Sequence, residues 1–101
     1  MNSSVTRSKG ASILAVRISK HLLTVGLQDG RSISVPLSWY PRLLHGSSGE
    51  RGNWRLIGQG EGIHWPDLDE DISVTGLLEG TPSQESRESL QEWLKQRSSK
   101  P

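Results

Sequence analysis

The chain has 101 residues, 32% of them hydrophobic, with four Trp, no Phe, no Cys and a formal net charge of +1. That length suits one domain with a modest core, and the missing cysteines exclude a disulfide framework, a thiol nucleophile and any thiolate metal site. The net charge hides a division: residues 1–49 carry +5, residues 50–80 carry −5 and residues 81–101 carry +1, a pattern that either builds opposed surface patches or cancels within the folded monomer.

Residues 1–11 are small and polar and read as a flexible N-terminal arm. They lack the apolar run of a signal peptide, and no stretch approaches the roughly 20 apolar residues of a membrane span. A cytoplasmic protein without membrane association is the expectation. Order begins at the apolar run Ile13–Ile18, of strand length. In His21–Leu27 the residues Leu23, Val25 and Leu27 share one face by the two-residue period. Asp29-Gly30 then predicts a tight hairpin turn with a positive φ. The next strand, Arg31–Val35, turns Ile33 and Val35 inward, and Pro36 ends its pairing because it lacks an N–H. Together these predict an N-terminal antiparallel β-meander.

Ser38 to His45 reads as a 3₁₀ turn followed by one or two α turns, with Pro41 tolerated only at the start. The polar stretch Gly46–Gly52 is expected to interrupt the helix, and residues 50–57 to pass into a short strand bearing Trp54, Leu56 and Ile57. Gly58, Gly60 and Gly62 indicate a bend or bulge packed beneath Trp54 or Trp65. Ile63–Pro66 and Asp71–Val74 read as short extended segments, and Leu77-Leu78 as a helical turn stopped by Gly80. Thr81-Pro82-Ser83-Gln84 has the pattern of a helix start with a capping box. Leu90, Trp93, Leu94 and Arg97 then recur at helical spacing, a stripe expected to pack on the domain. The fold class is α+β: an N-terminal antiparallel β-meander, a short middle helical segment, further short β segments and a C-terminal helix.

The run Asp29-Gly30-Arg31 with Val35-Pro36-Leu37 and Tyr40-Pro41-Arg42-Leu43 resembles the small bacterial family DUF2442. The similarity strengthens over Glu50-Arg51, Asn53-Trp54, Gly60-Glu61-Gly62-Ile63-His64-Trp65-Pro66, Asp69-Glu70-Asp71-Ile72 and Gly76-Leu77-Leu78. It covers residues 12–80 and leaves 81–101 as a C-terminal helix and tail. The resemblance implies a compact α+β domain and no established catalysis. Some relatives add a C-terminal helix-turn-helix domain, for which the remaining residues are too few. Others resemble one half of two-gene modules with a small companion protein, sometimes proposed as toxin–antitoxin pairs.

Several residues invite a chemical reading. Asp67, Asp69, Glu70 and Asp71, joined by Glu61 and His64, would offer a cation oxygen and imidazole ligands. The spacing and the final Glu of a twelve-residue calcium loop are missing. The plainer reading is a solvated loop whose acids pair with Arg51 and Arg55. His64 beside a carboxylate is a candidate general base, but catalysis also needs a nucleophile or substrate in reach and a pocket that excludes water. The Gly58-x-Gly60-x-Gly62 spacing lacks the strand–loop–helix setting of a phosphate loop. Arg7, Lys9, Arg17, Lys20, Arg31 and Arg42, with Trp39 and Tyr40, define a nucleic-acid alternative.

The sequence thus points first to a non-enzymatic protein-interaction or regulatory module, the antitoxin-like member of a small gene pair being one form of it. The expected surface combines Arg42, Arg51, Glu61, His64, Trp65, Asp67, Asp69, Glu70 and Asp71, without cofactor. The partner is a small companion protein, with self-association or nucleic acid as alternatives; a hydrolase or metal-binding protein using His64 is a further one.

Overall fold

A computed structural model describes residues 11–98; most of the expected N-terminal arm, with Arg7 and Lys9, and the end of the tail lie outside them. Strands β1 (Ile13–Ile18), β2 (Leu22–Leu27) and β3 (Ser32–Pro36) form an antiparallel meander in the order 1-2-3. Leu23, Val25 and Leu27 face inward with Val35, as alternation predicts. The β2–β3 connection is a three-residue loop, with Gly30 N–H donating to Leu27 O and Leu27 N–H to Arg31 O. Gly30 alone takes positive φ there, at 95°, the arrangement of a type I turn closed by a glycine bulge.

A register shift between Ile13 and Ala15 breaks the β1–β2 ladder. Leu14, in the bulge, is turned outward at 62% exposure while Ile13 is buried. The freed Ile13 N–H donates to Gly60 O at 2.8 Å and so ties the first sheet to the second.

After a 3₁₀ turn at Leu37–Trp39 come helices α1 (Pro41–Leu44) and α2 (Ser48–Gly52). The expected interruption at Gly46–Gly52 is therefore largely helical. Ser47 Oγ accepts from Glu50 N–H and the Glu50 carboxylate accepts from Ser47 N–H, a reciprocal capping box that nucleates this single turn. Strands β4 (Arg55–Ile57), β5 (Gly62–Trp65) and β6 (Glu70–Ser73) form a second antiparallel meander. Helix α3 (Val74–Glu79) follows directly and stops at Gly80, which is left-handed at φ 72°.

The C-terminal helix α4 runs Arg87–Ser98, starting later than the Thr81–Gln84 pattern predicts. The reason is tertiary: Ser83 N–H donates to Trp39 O, and Glu85 is held by Arg42. Residues 81–86 are thereby pulled along the body as an extended strap. Ser86 caps the helix instead, its Oγ accepting from Ser89 N–H.

One core joins both sheets. Leu23, Val25 and Val35 from the first meet Ile63, Trp65 and Ile72 from the second, with Leu37, Leu43, Leu68 and Leu77 between them. Each such fully buried side chain contributes roughly 1.5–3 kcal/mol. Gly60 lies at the junction: a Cβ there would stand 2.7 Å from Ile13 O and 2.8 Å from Ile13 N. Backbone crossing, not packing under Trp54 or Trp65, explains this glycine.

Candidate interaction surface

The β5–β6 hairpin positions most of the candidate residues, and the strand period divides them between two faces. Register pairs Trp65 with Glu70, Ile63 with Ile72 and His64 with Asp71. Ile63 and Trp65 therefore point to the core, while His64 points outward between Arg55 and Asp71. Trp65 is fully buried, and its indole Nε1–H donates to Arg51 O at 2.9 Å. This buried donor is satisfied by backbone, and the ring fixes α2 against the second sheet.

The two arginines are turned to internal work. Arg51 donates from Nε to Leu43 O at 2.7 Å and from Nη2 to Leu44 O at 2.6 Å, holding the carbonyl end of α1, where Leu43 O also accepts from Gly46 N–H. Arg42 donates from Nε and Nη2 to the Glu85 carboxylate, at 2.6–3.0 Å, and from Nη1 to Leu68 O at 3.3 Å. Its side chain is 16% exposed and that of Glu85 10%. The Arg42 pair holds Glu85 below the ordinary carboxylate range.

The carboxylates fall into distinct settings. Asp67 accepts from Asn53 Nδ2 at 2.8 Å, and Asp69, 87% exposed, lies 3.7 Å from Arg42 Nη1. Asp71 Oδ1 lies 2.5 Å from His64 Nδ1. These partners replace the expected pairing with Arg51 and Arg55. Asp69 has positive φ, at 51°, a conformation that Asp tolerates better than most residues. Glu70 lies on the inner face and is half-buried. Burial pushes its carboxyl up to about 7, with the nearby Glu85 charge adding to the rise and Arg42 opposing it. Glu61 stands apart at the β4–β5 turn, where it lines a groove of about 620 Å³ with Leu78 and Glu79.

His64 and Asp71 thus form an oriented imidazole–carboxylate pair on an open sheet face. The hydroxyl of Ser73, next but one to Asp71 on β6, accepts from Gly76 N–H to cap α3. Among the described residues no group of three or more His, Asp or Glu converges as a metal site, and no helix is long and apolar enough to cross a membrane. Of the proposed stacking aromatics, Tyr40 is buried and Trp39 half-buried against the core; Arg31 pairs with Asp29 at 2.8 Å.

A second constellation joins Glu50, Glu85, Trp93 and Arg97. The Arg42 guanidinium carbon stands 5.0 Å from the centre of the Trp93 ring and that of Arg97 4.5 Å, both over the ring. Arg97 Nη2 also donates to Glu50 Oε1 at 2.8 Å. Only the Ser47-x-x-Glu50 spacing and the Trp93/Arg97 helical offset could have signalled these residues. The pairings span 43 and 47 positions, beyond any local rule.

Fold and site together define a small α+β domain of two meanders on one core, with acids on one hairpin and a C-terminal helix resting on Arg42 of α1 and Glu50 of α2. The chain belongs to the DUF2442 family, a protein family of unknown function, whose model matches residues 13–83. A protein of unknown function from Rhodospirillum rubrum has a similar crystal structure, at 26% identity and a TM-score of 0.64, the match covering 73% of this chain and 92% of that one. The solution structure of an uncharacterised protein from Chromobacterium violaceum shares the fold at 18% identity and a TM-score of 0.65, over 89% and 82% of the two chains. No curated protein matches the chain.

Proposed function

We propose that the protein is a non-enzymatic protein-interaction module that docks a small companion protein on the outer face of the second sheet. The observation that carries this reading is the outward display of Asp67, Asp69 and Asp71 from one hairpin, all three exposed. In this reading Arg42, Arg51 and Trp65 support the surface from within: Arg42 bonds to Leu68 O, Arg51 to Leu43 O, and the Trp65 indole to Arg51 O. The same sheet face as Asp71 carries Ile57, 40% exposed, in register with Gly62 and Ser73 at the end of the hairpin away from Asp67 and Asp69. A basic partner surface would be oriented by the aspartates and anchored by Ile57, since charge sets approach and apolar contact supplies affinity. The companion would be the other member of a two-gene pair, with this chain in the antitoxin-like role.

Affinity purification of the tagged full chain from its native cell extract, with nuclease treatment and mass spectrometry, tests the reading. One stoichiometric small protein should be recovered with the wild type and lost with folded Asp69→Asn/Asp71→Asn. Equal recovery by the double variant would move the interface elsewhere, and an empty column would end the proposal.

A further inference from the structure

Residues 81–98 cross the body on few apolar anchors. Helix α4 has no fully buried residue, and its seat consists of the half-buried Trp93, the Arg97–Glu50 pair and, through the strap, the Glu85–Arg42 pair. Beneath the strap lies a recess of about 220 Å³, lined by Thr81–Gln84 on one side and by Tyr40 and Glu70 on the other. The Tyr40 hydroxyl is buried without a hydrogen-bond partner among the described residues. Glu70 is turned toward this recess by the period of β6, which puts it on the same inner face as Ile72.

We propose that residues 81–98 form a proton-operated latch: with Glu70 protonated the strap seats Glu85 on Arg42 and α4 lies closed over α1 and α2, and ionisation of Glu70 loosens it. Every charged or titratable group facing Glu70 fits this device. Glu85 comes from the strap, Arg42 and Tyr40 from the α1 side, and Asp71 from its own strand; Asp69 adds to the field at Arg42. Arg42 is already committed to Glu85 and Asp69, so an ionised Glu70 stands half-buried under the strap and is repelled by the Glu85 charge. Glu70, standing at about 7 against an ordinary value near 4.3, holds its proton more tightly when covered. Closure is therefore favoured below about pH 4.3, and the advantage is lost as pH rises through about 7. Each unit of the shift that the strap causes changes the open-to-closed ratio tenfold.

The test uses the full chain and heteronuclear NMR. The Trp93 indole signal and the α4 amides are followed from pH 5.5 to 8.5 in the wild type, Glu70→Gln and Glu85→Gln, with the sheet amides reporting that each variant is folded. The wild type should open with a midpoint near 7, Glu70→Gln should stay closed throughout, and Glu85→Gln should be open at every pH. A wild-type spectrum that does not move, or a Glu70→Gln chain that titrates like the wild type, overturns the latch. A reciprocal reading covers a variant that fails to fold: the Glu70 carboxyl carbon is titrated in the wild type and in Trp93→Ala. Its midpoint should fall toward the ordinary carboxylate range when the helix is unseated, and an unchanged midpoint overturns the proposal.

Discussion

At Gly60 the backbones of the two sheets cross so closely that a methyl group has no space, and φ is +88° besides. Gly30 has a similar φ of +95° but nothing within 4 Å of its absent side chain. The pair separates two causes of glycine usage. Gly30→Ala should cost about 1 kcal/mol through backbone strain alone. Gly60→Ala adds a collision with Ile13 backbone atoms that cannot rotate away, and should cost roughly 2–5 kcal/mol. Urea unfolding of both variants checks the ordering; equal losses would mean that the crossing relaxes. The alternate glycines signalled a bend in the sequence, yet which one touched another strand depended on Ile13, far away in the chain. The same limit applies to the candidate surface. Two-residue alternation could separate Trp65 from His64, but nothing local said that Arg42 and Arg51 would turn to carbonyls and to Glu85.

Among the elements, α2 shows how a single turn becomes stable. Glu50 closes the capping box on Ser47 and also receives Arg97 from α4. These donors, Arg97 first, pull its carboxyl from 4.5 down to about 2. A carboxylate depressed on folding stabilises the native state above its unfolded pKa, and that contribution disappears as pH falls through the folded value. Acidification from pH 4.5 to 2 should therefore weaken the wild type more than Arg97→Met, as measured by urea midpoints at each pH. Parallel losses would assign the depression to Ser47 alone. The Ser47-x-x-Glu50 pattern was readable in the sequence, although the glycines around it read as an interruption. Thr81–Gln84 carried an equally good helix-start pattern and did not form one. Tertiary bonds from Ser83 to Trp39 and from Glu85 to Arg42 outweighed the local preference.

For the molecule as a whole, α4 lies beyond the family match, which ends at residue 83. A chain ended after Ser86 should keep both sheets and lose roughly 1–3 kcal/mol, the worth of a half-buried Trp and the partly exposed Arg97–Glu50 pair. Amide exchange in β2 and β5 together with urea unfolding would show it; collapse of both sheets would make α4 integral to the fold. The α+β class and the order of elements were legible because alternation and turn residues are local signals. The fusion of the two meanders into one core was not, since it rests on partners as far apart in the chain as Ile13 and Gly60.

The order of strands also bears on how the chain reaches its structure. In both sheets every strand pairs with its neighbour in sequence, so each meander closes only short loops and neither waits for a distant partner. What demands a long search is the meeting of the two, where Ile13 finds Gly60. The barrier to folding is then expected at the joining of the two halves, and substitutions at their seam should slow refolding in stopped-flow measurements.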